Sequence, residues 1–584
     1  MKIKPNHVID CDLLVVGGGL GGCVAAITAR ELGVPRVVLV DKGKVGRSGQ
    51  SVFAAGIWAL NLPGEDIADW IEESIVTGDY LNDQHWVRLL WQRNYEVICA
   101  VEKWCAQSGR EAFKKTAGGD FLRRRSRGHI KTWHGLVNSL SLMEGLRLKA
   151  IDAGVEIIDR VMVTDLVCPG GPCTGAVGVN YRTGETFWFK AGQTVLASAG
   201  ALFKSIHVGH RNLTGDMLAA FWRAGGTVQN MEMITHNTTA RPFDVHGINQ
   251  YQSVGGKWVN SLGEEFMPDY DPVLKNRCNQ PTMCLSLARE VHEGRGPIMF
   301  DVTAASAEDR DLCRQTLPES FRIWDMAGID PFREKVEWVT AFYGTSNNGG
   351  GIRIGLDCAT GIANLYACGD LTPVPPHGGY CFGGVNLAFT AVSGRVAGES
   401  AAGNPGGGSP SAGAGAAGSK AADLLAHTFG PLGGGQLSAD GLILQIQKEI
   451  FPYRVSLIKS RSALENCLGR LREIKQQTAG LGAGDLHQLV KANECKNLAA
   501  IAELMVLASL YRRESRGFHF REDYPLVDNE NWLKWVLIKQ GGSGPLIWTE
   551  DVPTPYVRPH LPYYRHRSLR HNVSPATGAD QQCL

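Results

Sequence analysis

The stretch 13–43 constrains the fold more than any other part of the chain. It reads as an apolar run, a glycine turn, a helix pattern and a second apolar run, with G-x-G-x-x-G at Gly17, Gly19 and Gly22 and an acid, Asp41, at its end. In this pattern the glycines allow a tight turn, bring backbone close to a pyrophosphate at a helix N-terminus and let the helix pack on the strand, while the acid accepts from a ribose hydroxyl. The stretch therefore predicts a βαβ dinucleotide site.

The length, net charge and cysteine count of the chain argue against several functional classes. With 584 residues the chain can form two to four domains, and its net charge of +1 argues against a nucleic-acid partner or an acidic tail. The 15 cysteines are scattered without any C-x-x-C, which argues against an iron–sulfur cluster or a zinc ribbon, so we expect no metal site. The sequence CPGGPC predicts a hairpin connection, with a redox disulfide between Cys168 and Cys173 as the alternative.

The same features indicate where the protein resides. An odd cysteine count and a polar N-terminal segment, 1–10, without an apolar signal core favour the reducing cytosol. No apolar run approaches the roughly 18 residues that span a bilayer. We therefore expect a cytoplasmic protein without direct membrane insertion.

Changes in composition and apolar spacing divide the chain. The predicted fold class is α/β, with a Rossmann-like dinucleotide-binding domain, an inserted α+β capping domain and a C-terminal helical domain. The expected boundaries are 1–230 for the first part of the dinucleotide domain with a helical insert at about 62–135, 231–347 for the capping domain, 348–402 for the return of the first domain, 403–420 for a flexible low-complexity linker, 421–525 for the helical domain and 526–584 for an irregular tail.

Further glycine-rich loops are expected to contact the dinucleotide. Thr214 and Asp216 are predicted to cap a helix, and a second helix near Asn386 would direct its N-terminus at the cofactor and stabilise negative charge there. The full set of predicted cofactor contacts is Gly17, Gly19, Leu20, Gly22, Asp41, Lys42, Arg47, Ser48, Gly49, Ala55, Gly56, Val163, Ala199, Gly200, Thr214, Asp216, Gly369, Asp370, Asn386 and Leu387.

Several motifs together resemble one superfamily: the flavoprotein subunits of fumarate reductase and succinate dehydrogenase, L-aspartate oxidase and the alpha subunit of adenylylsulfate reductase. The motifs are GGGLGG with Asp41, RSG at 47–49, SAG at 198–200, TGD at 214–216, GEEF at 263–266, EGRGPIMFDVT at 293–303, NLYACGD at 364–370, HG at 377–378 and RRESRGFHFREDYP at 512–525. The resemblance covers most of the chain and implies FAD as the cofactor, and hence a Rossmann-like FAD-binding domain.

The chain departs from the respiratory members at their functional positions. Gly49 stands where those enzymes carry the histidine that links FAD covalently, so we expect non-covalent FAD. Ser346 stands at a substrate histidine, the loop after His377 has lost its arginine, and Gln280 stands at the proton-donating arginine. Because two carboxylates need fixed cations, a fumarate or succinate reaction is not expected.

Other features are similar to the adenylylsulfate reductase branch. These are the small-residue loop that ends at Asn61, the pair Pro376-His377 and the run DYPLVDNENW at 523–532. That branch's Trp-Pro-Gly and Lys-Phe-Ser-Ser motifs are missing from the chain. The sequence therefore indicates a divergent relative.

Five of the six catalytic candidates lie in the expected capping domain and in the loop after Pro376, and Asn61 ends the small-residue loop of the first domain. His377 is the first choice for protonating or orienting a substrate beside the flavin, and the other candidates are Arg241, Arg277, Asn61, Tyr380 and His236. Cys381 is either a reactive thiol or a small buried side chain. Each also has a purely structural interpretation: a satisfied histidine, a surface arginine or a core aromatic residue.

The function expected from these observations is hydride or electron-pair transfer between non-covalent FAD and a small organic or sulfur-containing substrate. One alternative is the alpha subunit of an adenylylsulfate-reductase-like complex, and another is a non-catalytic flavin-binding protein. An iron–sulfur subunit is a possible partner, with 512–525 and the aromatic tail as candidate docking surfaces. The sequence leaves open the substrate, the direction of the reaction, the electron carrier and the oligomeric state.

Overall fold

A computed structural model describes residues 3–54, 56–207, 209–245, 247–404, 414–542 and 544–570. The elements up to residue 230 are β1 (His7–Val16), α1 (Leu20–Glu31), β2 (Val37–Asp41), β3 (Ile57–Ala59), α2 (Ile67–Thr77), α3 (Gln84–Gln107), β4 (Arg123–Arg124), β5 (His134–Leu136), α4 (Ser139–Asp152), β6 (Glu156–Asp159), β7 (Val161–Leu166), β8 (Gly175–Asn180), β9 (Thr186–Leu196), α5 (Asp216–Arg223) and β10 (Val228–Gln229).

The middle of the chain contributes β11 (Thr235–Ala240), α6 (Ile248–Ser253), β12 (Lys257–Val259), α7 (Met267–Tyr270), α8 (Gln280–His292), β13 (Met299–Asp301), α9 (Ala307–Thr316), α10 (Pro318–Ala327) and β14 (Val336–Gly344). The remainder contributes β15 (Gly351–Ile352), β16 (Leu365–Ala367), α11 (Val385–Gly403), α12 (Ala414–Phe429), α13 (Ala439–Ile450), α14 (Tyr453–Ser456), β17 (Ile458–Lys459), α15 (Arg461–Gln477), α16 (Leu486–Tyr511), β18 (Phe520–Arg521), β19 (Leu526–Asp528), α17 (Asn529–Trp532), β20 (Lys534–Gly541), β21 (Gly544–Asp551) and β22 (Tyr563–Arg565). Single 3₁₀ turns occur at Gln50–Phe53, Lys275–Arg277, Gly369–Leu371, Pro375–His377, Gly430–Gly433 and Thr478–Gly480.

A seven-stranded sheet forms the centre of the first domain. Its order is β6-β2-β1-β9-β8-β7, with β16 paired to β9. Strand β1 runs parallel to both β2 and β9, so the glycine turn after β1 lies at the carboxyl edge of the sheet. In open α/β sheets this edge is where ligands bind.

The turn between β1 and α1 depends on close backbone contacts. Gly17 has φ +112°, and a Cβ there would lie 2.6 Å from the backbone of Ala197 and Ser198. A Cβ on Gly22 would lie 1.8 Å from the carbonyl oxygen of Gly17. Helix α11 approaches α1 just as closely, since a Cβ on Gly394 would lie 2.5 Å from the carbonyl oxygen of Gly21. These glycines are therefore needed for packing as well as for turn geometry.

The inserted segment forms its own layer. Its antiparallel sheet has the order β11-β14-β13-β12, and a separate apolar cluster lies beside it, with Trp258, Trp324 and Trp338 among its most buried members. The fold class expected from the sequence is confirmed: an α/β cofactor domain, an inserted α+β domain and C-terminal helices.

Two expected segments differ from the structure. Residues 405–413 of the predicted linker lie outside the described residues, but 414–420 begin helix α12, in which Ala417 and Ala421 pack on Val167 and Val177. The Ala-rich sequence favours helix once one face is buried. The predicted linker is thus shorter than its composition indicated.

The tail is not irregular over the residues described. Strands β20 and β21 form a hairpin, and β20 pairs with β10 of the first domain. The apolar runs 535–538 and 546–548, on the two sides of a glycine-rich turn, explain the hairpin. The tail's proline and aromatic content favours an irregular segment, but pairing of these two runs outweighs it.

Most of the segment 512–521 is buried, whereas Arg513, Glu522, Asp523 and Pro525 are exposed, so its role as a docking surface stays a prediction. Arg512 donates to Glu232 and to Glu514, both at 2.7 Å, and Arg516 donates to Glu514 at 2.8 Å. All four side chains are fully buried. The cluster ties the end of α16 to the start of the capping segment. No helix within the described ranges has the length and apolar character needed to cross a membrane.

Replacing Gly17 with Ala tests the close packing at the turn. Gly33 is the matched control, because its φ is also positive, at +88°, while a Cβ there meets open space. We expect Gly33→Ala to destabilise the protein by about 1 kcal/mol and to keep its cofactor. Gly17→Ala should lower the melting temperature by a larger amount and reduce cofactor occupancy, measured by the visible absorbance of the purified protein. Equal effects of the two substitutions would contradict this account.

Candidate active site

A long cavity runs from the glycine turn to the inserted layer and encloses about 1640 Å³ of space, its open mouth included. One end is lined by 16–21, 40–42, 161–163 and 212–217. The other end is lined by residues of the inserted layer and of the loops after β14 and β16, among them Arg127, Asn237, Thr238, Asn249, Gln280, Tyr343, Asn347 and Tyr380.

The first end fits a dinucleotide pyrophosphate. Gly19, the N-cap of α1, has no side chain to cap the helix, and the amide of Leu20 donates to the hydroxyl of Ser51 at 3.2 Å, with all three residues on the cavity lining. Ser198, which lines the same wall, has a buried hydroxyl without a hydrogen-bond partner. A Cβ on Gly19 would meet Ser51 at 3.1 Å. Backbone donors and small side chains here leave room for an anionic group at a helix N-terminus.

Asp41 and Lys42 lie on the wall beyond the turn. The Asp41 carboxylate accepts from the amides of Gly18 at 2.7 Å and Gly43 at 2.6 Å, and burial raises its pKa. Lys42 donates to Asp216 at 2.8 Å and forms an ion pair with Glu494. Asp41 thus stiffens the turn itself, and the charge of Lys42 is balanced within the protein.

Helix α5 begins differently from the sequence expectation. Its N-cap is Gly215, with φ +66° and no capping side chain. The Thr214 hydroxyl accepts from Lys42 at 2.9 Å, and Asp216 pairs with the same lysine. Both predicted residues line the cavity, but they hold Lys42 and do not cap the helix.

A polar cluster around Asp370 lines the middle of the cavity. The carboxylate accepts from the side-chain amides of Asn386, at 3.0 Å, and Gln50, and from the backbone amide of Asn347 at 3.4 Å. Burial raises the pKa of Asp370 to about 7, against the lowering effect of these hydrogen bonds. The group therefore titrates near neutral pH.

Arg127 brings a cation to the far end of the cavity. Its side chain is 4% exposed, and its Nη2 donates to the Tyr380 hydroxyl at 3.0 Å. The Nε and Nη1 atoms are buried without a hydrogen-bond partner. Uncompensated buried donors on a charged group are costly, and here they belong to a residue of the cavity lining.

Loops from three parts of the chain fix Arg127. Its carbonyl accepts from Gly383 at 2.8 Å, and the next amide, Gly128, donates to the carbonyl of Arg277 at 2.7 Å. His129 bonds to the carbonyl of Gly383 at 2.9 Å. The buried Glu73 carboxylate accepts from the hydroxyl of Thr132 at 2.7 Å and from backbone amides of the same loop. The side chain is therefore positioned by tertiary contacts on both sides.

Comparisons with known proteins agree with this arrangement. Residues 12–387 match the FAD binding domain family, and residues 447–564 match the fumarate reductase flavoprotein C-terminal family. The chain belongs to the fumarate reductase and succinate dehydrogenase flavoprotein family. It is an FAD-dependent oxidoreductase, and its cofactor is FAD.

Relatives match almost the whole chain. An uncharacterized FAD-dependent oxidoreductase of Methanocaldococcus jannaschii is 28% identical, over 93% of this chain and 98% of the relative. One of the subunits of the fumarate reductase (CoM/CoB) of Methanothermobacter marburgensis is 28% identical, over 92% and 98%. The succinate dehydrogenase flavoprotein subunit of Rickettsia conorii is 25% identical, over 92% and 94%.

Solved structures share the fold. The E. coli quinol fumarate reductase FrdA aligns with a TM-score of 0.83 at 21% identity, covering 96% of this chain and 99% of that one. The adenylylsulfate reductase of Archaeoglobus fulgidus aligns with a TM-score of 0.77 at 20% identity, covering 95% and 97%. At these identities the likeness concerns the fold alone.

Within this flavoprotein fold, most predicted cofactor contacts line the cavity: Gly17, Gly19, Leu20, Asp41, Lys42, Ser48, Gly49, Val163, Ala199, Thr214, Asp216, Gly369, Asp370, Asn386 and Leu387. Four lie outside its lining, and Ala55 lies outside the described residues. Gly22 packs α1 on the turn, Gly200 packs on Thr345, and the Gly56 carbonyl accepts from Val137. Arg47 forms an ion pair with Glu144 at the surface.

Of the predicted catalytic residues, Tyr380 lines the cavity and the other five do not. His377 lies behind Tyr380, with ring centroids 4.3 Å apart, and its ring contacts Asn386 and the Cys381 sulfur. Burial lowers the pKa of His377 to about 3 and raises that of the Cys381 thiol. His377 thus supports the loop, and Cys381 is a buried neutral thiol.

The remaining candidates are held elsewhere. His236 points away from the cavity to Ser456, at 3.1 Å, and burial lowers its pKa to about 3. Arg241 pairs with Glu337 at the surface. Asn61 donates to the carbonyl of Trp91 at 2.9 Å. Arg277 meets the site only through its backbone bond to Gly128.

Sequence reasoning missed Arg127 and Tyr343. Arg127 is one of four arginines in RRRSRG, 123–128, and only its burial distinguishes it. The one local signal is the glycine that follows, because Gly128 has φ +81° and a Cβ there would lie 2.8 Å from Phe382. Tyr343 is the next-to-last residue of an ordinary apolar strand and carried no signal.

Replacing Asp370 with Asn should change how stability depends on pH. The folded pKa of Asp370, about 7, exceeds the unfolded value of about 3.9. Between these values the unfolded state releases a proton that the folded state keeps, so the carboxyl lowers stability as pH rises. We expect the melting temperature of Asp370→Asn, relative to the unsubstituted protein, to increase from pH 5 to pH 8 with FAD in excess. The exposed Asp357→Asn is the control, and a pH-independent difference for Asp370→Asn would contradict the assignment.

Proposed function

We propose that this flavoprotein transfers a hydride between non-covalently bound FAD and a small polar substrate with a single anionic group, which Arg127 binds. FAD, when bound, supplies the two-electron chemistry. The observation that carries the proposal is the buried guanidinium of Arg127, whose Nε and Nη1 have no partner and which lies on the cavity wall. A carboxylate, sulfonate or sulfate oxygen would satisfy both donors.

Neutral polar groups surround this cation. The Thr238 hydroxyl, the Asn249 Oδ1 and the Gln280 Oε1 are buried without hydrogen-bond partners, and all three residues line the cavity. The two amide oxygens can only accept hydrogen bonds. They would therefore orient a substrate that carries donors such as hydroxyl or amide groups beside its anionic group.

The charges of the cavity disfavour a substrate with two carboxylates. Among the described residues that line it, Arg127 and Lys42 are the cations. Lys42 is engaged with Asp216 and Glu494, so Arg127 remains to bind an anion. Relatives that are named fumarate reductases are 25–28% identical to this chain. We infer that its own substrate is not fumarate or succinate.

The attachment of FAD is proposed to be non-covalent. Gly49 lines the cavity at the place of the linking histidine, and the described lining residues include no histidine. We expect acid precipitation of the purified yellow protein to release all of its FAD into the supernatant, measured by flavin absorbance. Flavin retained in the washed pellet would contradict a non-covalent site.

The electron carrier is proposed to be an iron–sulfur protein. Several relatives are named as subunits, and the described part of this chain has no cluster of three or more His, Cys, Asp or Glu that could hold a metal. Anaerobic co-purification, followed by iron and sulfide analysis of the accompanying protein, tests this partner. A flavoprotein that turns over alone with a soluble carrier would exclude the need for it.

Arg127→Gln tests the anion site, with Arg241→Gln as the matched control. The acceptors are crotonate, fumarate and adenosine phosphosulfate, each offered to the dithionite-reduced holoenzyme. A hydrogen bond to a charged group contributes about 1.5–3 kcal/mol, so Arg127→Gln should lower kcat/KM about 10- to 100-fold with full FAD occupancy. Arg241→Gln should leave kcat/KM unchanged, because its side chain pairs with Glu337 at the surface.

The three acceptors separate the candidate functions. Preference for crotonate supports a substrate with one anionic group. Preference for fumarate would contradict the single-anion site, and preference for adenosine phosphosulfate would favour an adenylylsulfate-reductase-like protein. No reoxidation by any acceptor, with full FAD content, would favour a non-catalytic flavin-binding protein.

A further inference from the structure

A phenol and two imidazoles form a buried group behind the cavity wall. Tyr343, the next-to-last residue of β14, lines the cavity, and its hydroxyl lies 3.0 Å from Nε2 of His210. His207 Nδ1 lies 3.2 Å from the Asp244 carboxylate. The His207 ring lies 4.7 Å from the Tyr343 ring and 6.1 Å from the His210 ring, between centroids.

The group is enclosed by protein. Tyr343, His207, His210 and Asp244 are each at most 4% exposed. Polar groups that pack a core without a further role are usually replaceable by apolar ones, and their burial is costly unless they are paired. Of these four residues only Tyr343 lines the cavity; its hydroxyl pairs with His210, and the His207–Asp244 pair packs beside both rings.

We propose that Tyr343 is the catalytic residue that exchanges a proton with the substrate, and that His210 relays this proton as a positioning residue. The proposal rests on the hydride transfer proposed above. Hydride transfer alone leaves a charge on the substrate, which a proton donor within hydrogen-bond reach must neutralise. Tyr343 is the cavity residue whose hydroxyl is paired with an imidazole.

The protons and electrons balance in both directions. In substrate reduction, the hydride brings two electrons and one hydrogen, and the Tyr343 O–H brings the proton. Protonated His210 then returns a proton to the Tyr343 oxygen and ends neutral, so the substrate gains two hydrogens in total. In substrate oxidation, neutral His210 accepts the proton through Tyr343 and ends protonated.

Other candidates along the wall are less suited. The Tyr380 oxygen accepts from Arg127 at 3.0 Å, which assigns it to binding the anion. The Gln280 amide does not titrate, and its nitrogen donates to the carbonyl of His236. His377 and His236 lie outside the lining. Among the described residues of the lining, Tyr343 is therefore the one whose hydroxyl is hydrogen-bonded to an imidazole.

Burial and neighbouring charges set the pKa of Tyr343. Burial raises the pKa of Tyr343 well above its usual range, Asp370, Asp244 and Tyr380 raise it further, and Arg127 opposes them. The phenol is therefore neutral, and able to donate, at physiological pH. The Asp244 carboxylate lies within hydrogen-bond distance of His207, whose ring packs against that of Tyr343.

Tyr343→Phe tests the proton donor, with Tyr366→Phe as the control. Tyr366 is 7% exposed, lies in β16 and does not line the cavity. With whichever acceptor reoxidises the reduced holoenzyme, Tyr343→Phe should slow the single-turnover rate about 100-fold or more, at unchanged FAD content and unchanged acceptor Kd. Tyr366→Phe should keep the rate. A rate loss below about threefold for Tyr343→Phe would overturn the proposal.

The pH dependence of the rate shows whether His210 relays a proton or only supports Tyr343 structurally. The rate of substrate reduction should fall as pH rises through the pKa of His210, because the relay needs protonated imidazole, and the rate of oxidation should rise. His210→Gln should flatten this limb of the profile at full FAD content. A profile unchanged in His210→Gln would overturn the relay.

A measurement without substrate keeps the inference separate from the proposed function. With imidazole-¹⁵N histidine, one titrating signal should vanish in His210→Gln, and its midpoint should shift in Tyr343→Phe but not in Tyr366→Phe. An unshifted midpoint in Tyr343→Phe would overturn the pairing, whichever substrate the protein uses. A shifted midpoint together with no reoxidation by any acceptor would support the pair and instead reject the proposed hydride transfer.

Discussion

Backbone packing around Gly17 is the constraint on which the rest of the structure depends. Strand β1 lies between β2 and β9, and the turn after it is pressed against Ala197 and Ser198 with no space for a Cβ. This contact places the N-terminus of α1 at the carboxyl edge of the sheet, where the cavity begins. Loops from distant parts of the chain return to this edge and form the other walls of the cavity.

Charge is distributed unevenly along that cavity. At the glycine end, Lys42 is balanced by Asp216 and Glu494 within the protein. At the far end, Arg127 has a hydroxyl partner and two unpaired nitrogens. A buried charge is costly unless it is compensated; the charge of Lys42 is compensated within the protein, and we propose that a ligand compensates that of Arg127. On this asymmetry we base the proposal that Arg127 binds the substrate.

The buried ion cluster of 512–516 has a supporting role. Arg512 and Arg516 share Glu514, and Arg512 also holds Glu232, directly before the inserted layer begins. Arg516 and Gly517 contact Asp79 and its backbone in the helical insert. The C-terminal region thereby contacts the turn between α2 and α3 and the segment that leads into β11. The sequence showed the motif at 512–525, but it did not show that Arg512, Glu514 and Arg516 are buried.

The sequence by itself determined the cofactor half of this protein. Glycine spacing and an acid after a second strand act locally, so the pattern 17–22 with Asp41 sufficed for the turn, and motifs along the chain added FAD and the family. Only the tertiary structure decided the substrate half. Arg127 is one arginine among four until Gly383, Arg277 and Glu73 enclose its loop, and Tyr343 becomes a candidate proton donor only where His210 meets it. Burial and long-range pairing depend on the whole fold, and for that reason His377 and His236, prominent in the sequence, lie outside the cavity lining, while residues without a sequence signal belong to it.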